Sequence, residues 1–162
     1  MTDACRSRSP RRLPPDDPRR RRLPMLLRSA WYGMNQSFRR RLTPLGLTPD
    51  QFTILRWLTE APPAGLTQKG LSDLMCSDPN TIAALVARMT HEGLVVRTRG
   101  QRDARANFVR ATPAGRQRFL QARPQALALQ SELLAAIPPR QRERFLLHLQ
   151  AVGAAAKNHP DA

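Results

Sequence analysis

At 162 residues the chain has the length of one domain, enough to hide roughly 70% of the surface that its unfolded form exposes. Its 27 lysines and arginines outweigh 12 acids for a formal charge of +15, and lysine occurs only at Lys69 and Lys157. That balance suggests a polyanionic partner and says nothing about fold, while two cysteines, Cys5 and Cys76, are too few for a disulfide framework and have no metal-ligand spacing.

No apolar run is long enough to span a membrane, and the basic start lacks the apolar stretch of a signal peptide. The expectation is a cytoplasmic protein with no membrane association, no metal and no cofactor. Residues 1–24 carry eight arginines, three aspartates and five prolines with little to bury, which reads as a disordered basic arm. From Met25 the spacing of Leu26, Leu27, Ala30, Trp31, Met34 and Phe38 predicts an amphipathic helix to about residue 42.

"TPLGLTPDQ" breaks that helix, and Thr48 caps the next with Pro49 at its first position. Phe52, Ile54, Leu55 and Leu58 leave it few polar faces, so it should be buried on most sides. After "APPAG", Thr67 caps a short helix carrying Leu71, Leu74 and Met75. Gly70 stands where a capping-box glutamate would help, so this helix is weakly specified. In "SDPNT", Asp78 caps another helix opened by Pro79, with Ile82, Leu85, Val86 and Met89 as its apolar stripe and Gly93 as its stop. Two helices joined by a tight polar turn predict a helix-turn-helix.

The period then changes to two. "LVVRTR" and "ANFVRA" flank "GQRDAR", a hairpin with a long loop, so the predicted fold is mainly α with one small β-hairpin: a winged helix-turn-helix. Thr112 and Pro113 open a long helix to about Ala136, with Pro124 expected to kink it. A final helix carries Phe145, Leu146, Leu149 and Val152 as a stripe.

A helix that reads the major groove needs one face in the core and the other small or hydrogen-bonding. The outward set here is Asn80, Thr81, Ala83, Ala84, Ala87, Arg88 and His91, with Arg88 placed for a phosphate. The free N–H groups behind Pro79, and those at Thr67 and Gln68, favour an anion. Between residues 97 and 110 five arginines (Arg97, Arg99, Arg102, Arg105, Arg110) face one acid, Asp103. Arginine suits the negative potential of a narrow minor groove, and Asp103 reads as a brace aiming a neighbouring guanidinium, that of Arg105. Cys76 reads as a small buried apolar residue. His91, His148 and His159 are scattered, and no catalytic constellation appears, so the expectation is not an enzyme.

"GLTPDQFTILRWL", "LTQKGLSDLM", "SDPNTIAALVARMTHEGLVVR" and "RDARANFVRATPAGRQ" follow one another at a known spacing, and in them the chain resembles the MarR family of bacterial transcription regulators. The resemblance implies a DNA-binding lobe over about 47–113, dimerisation helices over about 25–42 and 114–157, and a tail at 158–162. It further implies a homodimer on double-stranded DNA with a pseudo-palindromic operator. Asp103 and Arg105 match the family's D-x-R wing element, and Ala104 departs from it where a second arginine is common. The arginine reaching the minor groove is therefore one of Arg99, Arg102 and Arg105. Gly70 replaces the family's more usual glutamate.

Many members sense small aromatic acids or phenolics, for which Trp31, Tyr32 and Trp57 are the candidate pocket residues. Neither cysteine matches the oxidant-sensing position on the first helix. The implied function is a dimeric repressor released by a small ligand. The alternative is a winged helix that binds protein or RNA without operator specificity.

Overall fold

Three helices start at a hydroxyl or carboxylate cap followed by proline. In the computed structural model, which describes residue 17, residues 22–99 and residues 107–157, these are α2 (Pro49–Glu60), α4 (Pro79–His91) and α5 (Pro113–Ala135). The side chains of Thr48, Asp78 and Thr112 accept the backbone N–H of Gln51, Thr81 and Gly115, respectively. Each cap satisfies a donor that the first turn leaves free, and proline at the first position lacks only a donor that has no helical use. At α2 the motif is a full capping box: Gln51 Oε1 also accepts the Thr48 N–H at 2.9 Å.

The remaining elements are α1 (Arg22–Leu42), β1 (Leu66–Thr67), α3 (Gln68–Met75), β2 (Val95–Arg99), β3 (Asn107–Ala111) and α6 (Pro139–Lys157), with a 3-10 turn at Thr43–Leu45. Helix α1 starts three residues before the apolar spacing suggests, because Pro24 falls in the first turn, where its missing N–H costs nothing. Apart from Asp17 and this first turn, the basic arm lies outside the described residues, as does the tail at 158–162. The chain divides into two units, one ending at Gln36 and the other starting at Ser37.

In the second unit one core gathers Leu42, Phe52, Ile54, Leu55, Leu58, Leu71, Ile82, Val86, Met89 and Val109, with Phe38 packed against it. Phe52 meets Phe38 edge-on, with ring centroids 5.1 Å apart, and Phe119 at 5.2 Å. As expected, α2 is buried along most of its length. Helix α5 runs on through Pro124. Arg41 holds the Glu132 carboxylate through both terminal nitrogens, tying the end of α1 to α5.

The sheet has the order β1–β3–β2 and is antiparallel throughout. The hairpin of β2 and β3 pairs Val95 with Ala111 and Arg99 with Asn107. Strand β1 adds Leu66 opposite Val109, a pairing too short to leave a period-two signal in the sequence. Gly65 makes it possible: its φ is +85°, and a Cβ there would stand 2.2 Å from the Val109 oxygen.

Candidate nucleic-acid interface

Helix α4 is anchored on one side and open on the other. Ile82, Leu85, Val86 and Met89 are buried, as the stripe predicts. At its far end Glu92 accepts a 2.6 Å hydrogen bond from Gln51 Nε2. Gln51 is itself buried at 4% exposure, so one side chain serves both the start of α2 and the end of α4. Only the fold brings the two together, 41 residues apart in sequence.

On the open side Asn80, Thr81, Ala84, Ala87 and Arg88 are exposed, with Pro79 ahead of them, while Ala83 is half-buried. Small side chains let a partner approach the helix closely, and Asn80 offers both donor and acceptor. The Asp78 carboxylate accepts from the Thr81 hydroxyl and from the Thr81 N–H, the latter at 2.9 Å. The hydroxyl bond first, then the backbone bond, holds Asp78 below the usual carboxylate range. The Thr81 hydroxyl has thus already given its proton to the cap, which leaves only its lone pairs for a donor on a base edge. His91 ends the helix and is exposed, as is His148 on α6; His159 lies outside the described residues.

Helix α3 lies against α4. Thr67 caps it, accepting the Gly70 N–H at 3.0 Å, and Gly70 indeed occupies the position where a glutamate would complete the box. Thr67 and Gln68 are half-buried, and Ser72 donates to the Gln68 carbonyl at 3.0 Å.

Cys76 departs from expectation. It is exposed, not buried, and closes α3 at a φ of +48°, its N–H turned back to Asp73. The turn between the two helices requires a left-handed residue, and that geometry carries the thiol outward whatever its apolarity. Among the described residues no group of His, Cys, Asp or Glu could hold a metal ion.

The wing stands beside α4, with β2 against it. Arg110 is exposed and pairs with Val96. Arg97 points to the helix: its Nη2 donates to the Ala83 carbonyl at 3.2 Å. The backbone of Arg99 closes the described part of the hairpin; Arg102, Asp103 and Arg105, and with them the expected brace, lie outside the described residues.

Of the expected ligand residues, Trp31 and Tyr32 are 60% and 59% exposed on α1, where the Tyr32 hydroxyl accepts from Gln36 Nε2 at 2.7 Å. Trp57 is half-buried against the core, with the Arg56 guanidinium 5.2 Å from its ring centroid. Its indole nitrogen is buried and has no acceptor among the described residues.

A capped helix pair followed by a basic antiparallel hairpin defines the class, a winged helix-turn-helix. The model of the MarR family matches residues 45–106. The transcriptional regulator HosA of Escherichia coli is 30% identical over 100 residues, which cover 62% of this chain and 73% of HosA. The chain belongs to the MarR family and is a transcriptional regulator of that type.

Solved structures agree. CouR from Rhodococcus jostii RHA1 bound to p-coumaroyl-CoA is 27% identical, covers 85% of this chain and 92% of its own, and superposes with a TM-score of 0.72. The repressor CouR bound to a 23-mer DNA duplex is 26% identical, with 80% and 89% covered and a TM-score of 0.68. Among the described residues no helix is long and apolar enough to cross a membrane.

Proposed function

We propose that this regulator is a sequence-specific, dimeric DNA-binding repressor that acts in the cytoplasm and is released by a small ligand. The observation that carries the DNA reading is the exposed face of α4, small and hydrogen-bonding, set directly beside an arginine-rich hairpin. A winged helix that docks on another protein would be better served by large apolar groups there. The similar protein CouR, bound to a DNA duplex, supports the same reading.

In this account the lobe at about 47–113 meets DNA. Thr67, Gln68 and the first turn of α4 lie at the phosphates, and Asn80, Thr81, Ala83, Ala84 and Ala87 along the base edges. Arg88 takes a phosphate, and Arg99, Arg102 and Arg105, with Asp103 as brace, form the wing. Helices 25–42 and 114–157 join two copies. Support for the dimer comes from α6, which buries no residue of its own and leaves Phe145, Leu146, Leu147 and Leu149 exposed at 41–55%. Contiguous apolar surface of this kind marks an interface. For the ligand, CouR with p-coumaroyl-CoA makes an aromatic acid derivative the natural class. Trp57, whose buried indole N–H has no acceptor among the described residues, is its best-supported contact.

Two substitutions separate reading from holding. Asn80→Ala should lower discrimination between operator variants, with a cost of about 1–3 kcal/mol at one base position. Arg88→Ala should weaken all duplexes alike and reduce the salt slope by about 0.9 per lost phosphate contact. Binding profiles of both variants across a set of single-base operator changes test this; identical profiles would refute the assigned roles.

A further inference from the structure

One side chain joins the wing to the reading helix. Along β2, Val95 is 2% exposed and Val96 40% exposed, so Arg97 shares Val95's side of the pleat. Its cross-strand partner is Val109, which is fully buried. On that side lies α4, and Arg97 Nη2 reaches the Ala83 carbonyl at 3.2 Å.

A helix carbonyl keeps a second lone pair after accepting its own intrahelical bond, so a guanidinium can be added without unwinding the helix. Alanine at 83, 84 and 87 keeps this stretch of backbone open. That bond fixes where the guanidinium lies, although the residue itself remains exposed.

We propose that Arg97 is a positioning residue: a strut that fixes the angle of the wing against α4 and so sets how well the protein discriminates its operator. This rests on the DNA-binding reading above and sharpens it, since one of the five wing arginines then serves the protein's own geometry. Lysine cannot substitute. It carries the same charge but lacks the planar fork and the extended reach that let arginine bridge strand and helix.

The test uses Arg97→Lys and Arg97→Gln with two duplexes: one that the wild-type protein selects from a random pool, and a scrambled version. As a strut, Arg97 gives both variants a loss of roughly tenfold or more on the selected duplex, as misplaced base contacts do, and little change on the scrambled one. The slope of log affinity against log salt for Arg97→Gln stays that of the wild type. A phosphate contact would show the opposite pattern. Arg97→Lys would bind normally, and Arg97→Gln would weaken both duplexes and flatten the slope by about 0.9 per contact. That result overturns the strut.

Amide hydrogen exchange of the free protein supplies an arm that needs no DNA. Both variants should exchange faster at 95–99 and 107–111 while α2 is unchanged, and wild-type exchange in the hairpin overturns the proposal. If the wild-type protein selects no duplex at all, the DNA-binding reading fails and the exchange result alone decides the strut.

Discussion

Replacing Gly115 with alanine should cost about 3 kcal/mol or more, lowering the midpoint of thermal unfolding by roughly 10 °C for a chain of this size. Gly115 is the third residue of α5, and a Cβ added there would lie 2.1 Å from the Leu94 oxygen and 3.0 Å from Leu55 Cδ2. That carbonyl has little freedom to retreat. It accepts the Thr112 N–H at 3.1 Å, while the Thr112 hydroxyl donates to the neighbouring Gly93 carbonyl at 2.7 Å and caps α5 by accepting the Gly115 N–H at 3.0 Å. Relief of the clash must therefore loosen the cap, the start of the wing or the packing on Leu55. Thermal melts followed by circular dichroism measure it directly, and a midpoint within about 2 °C of the wild type would show that the junction gives way at little cost.

The second large effect is on binding. With roughly six phosphates neutralised by a dimer, the slope of log affinity against log salt should be about −5, a loss of about a thousandfold between 50 and 200 mM. With one wing arginine of each protomer in the minor groove, Arg88 and the other two of Arg99, Arg102 and Arg105 on both protomers are the cations assigned to that task. The formal charge of +15 makes the chain attractive to any polyanion, so the same titration on unrelated DNA sets the non-specific floor. A loss of less than tenfold over that salt range would mean that phosphates contribute little and that the wing arginines do not hold the DNA backbone.

Much of this architecture is legible in the residues, because caps, prolines and apolar spacing are local signals. Thr48-Pro49, Asp78-Pro79 and Thr112-Pro113 announce three helix starts, and the stripe from Ile82 to Met89 tells which face of α4 is inward. The hairpin declares itself by a change of period. What stays hidden depends on contacts distant in sequence. Two residues of β1 leave no pattern, and they pair only because Gly65 turns the chain onto Val109.

Gln51 reads as a helix-start residue, and nothing local says that it also holds Glu92. Arg97 looks like one more wing cation until the pleat places it over Ala83. Cys76 shows the limit of a composition argument: a cysteine is often buried, but a left-handed turn decides where this one goes. Within the site, the exposed face of α4 follows from its stripe, whereas the engagement of Thr81 with Asp78 needs the cap geometry.

The central question is whether the chain reads DNA as a symmetric pair of winged helices. Selection of duplexes from a random pool by the full-length protein tests that most directly. The expected outcome is an inverted repeat whose half-site centres lie about one helical turn, roughly 10 bp, apart. Enrichment of no motif, or of a single half-site without its mate, would contradict it.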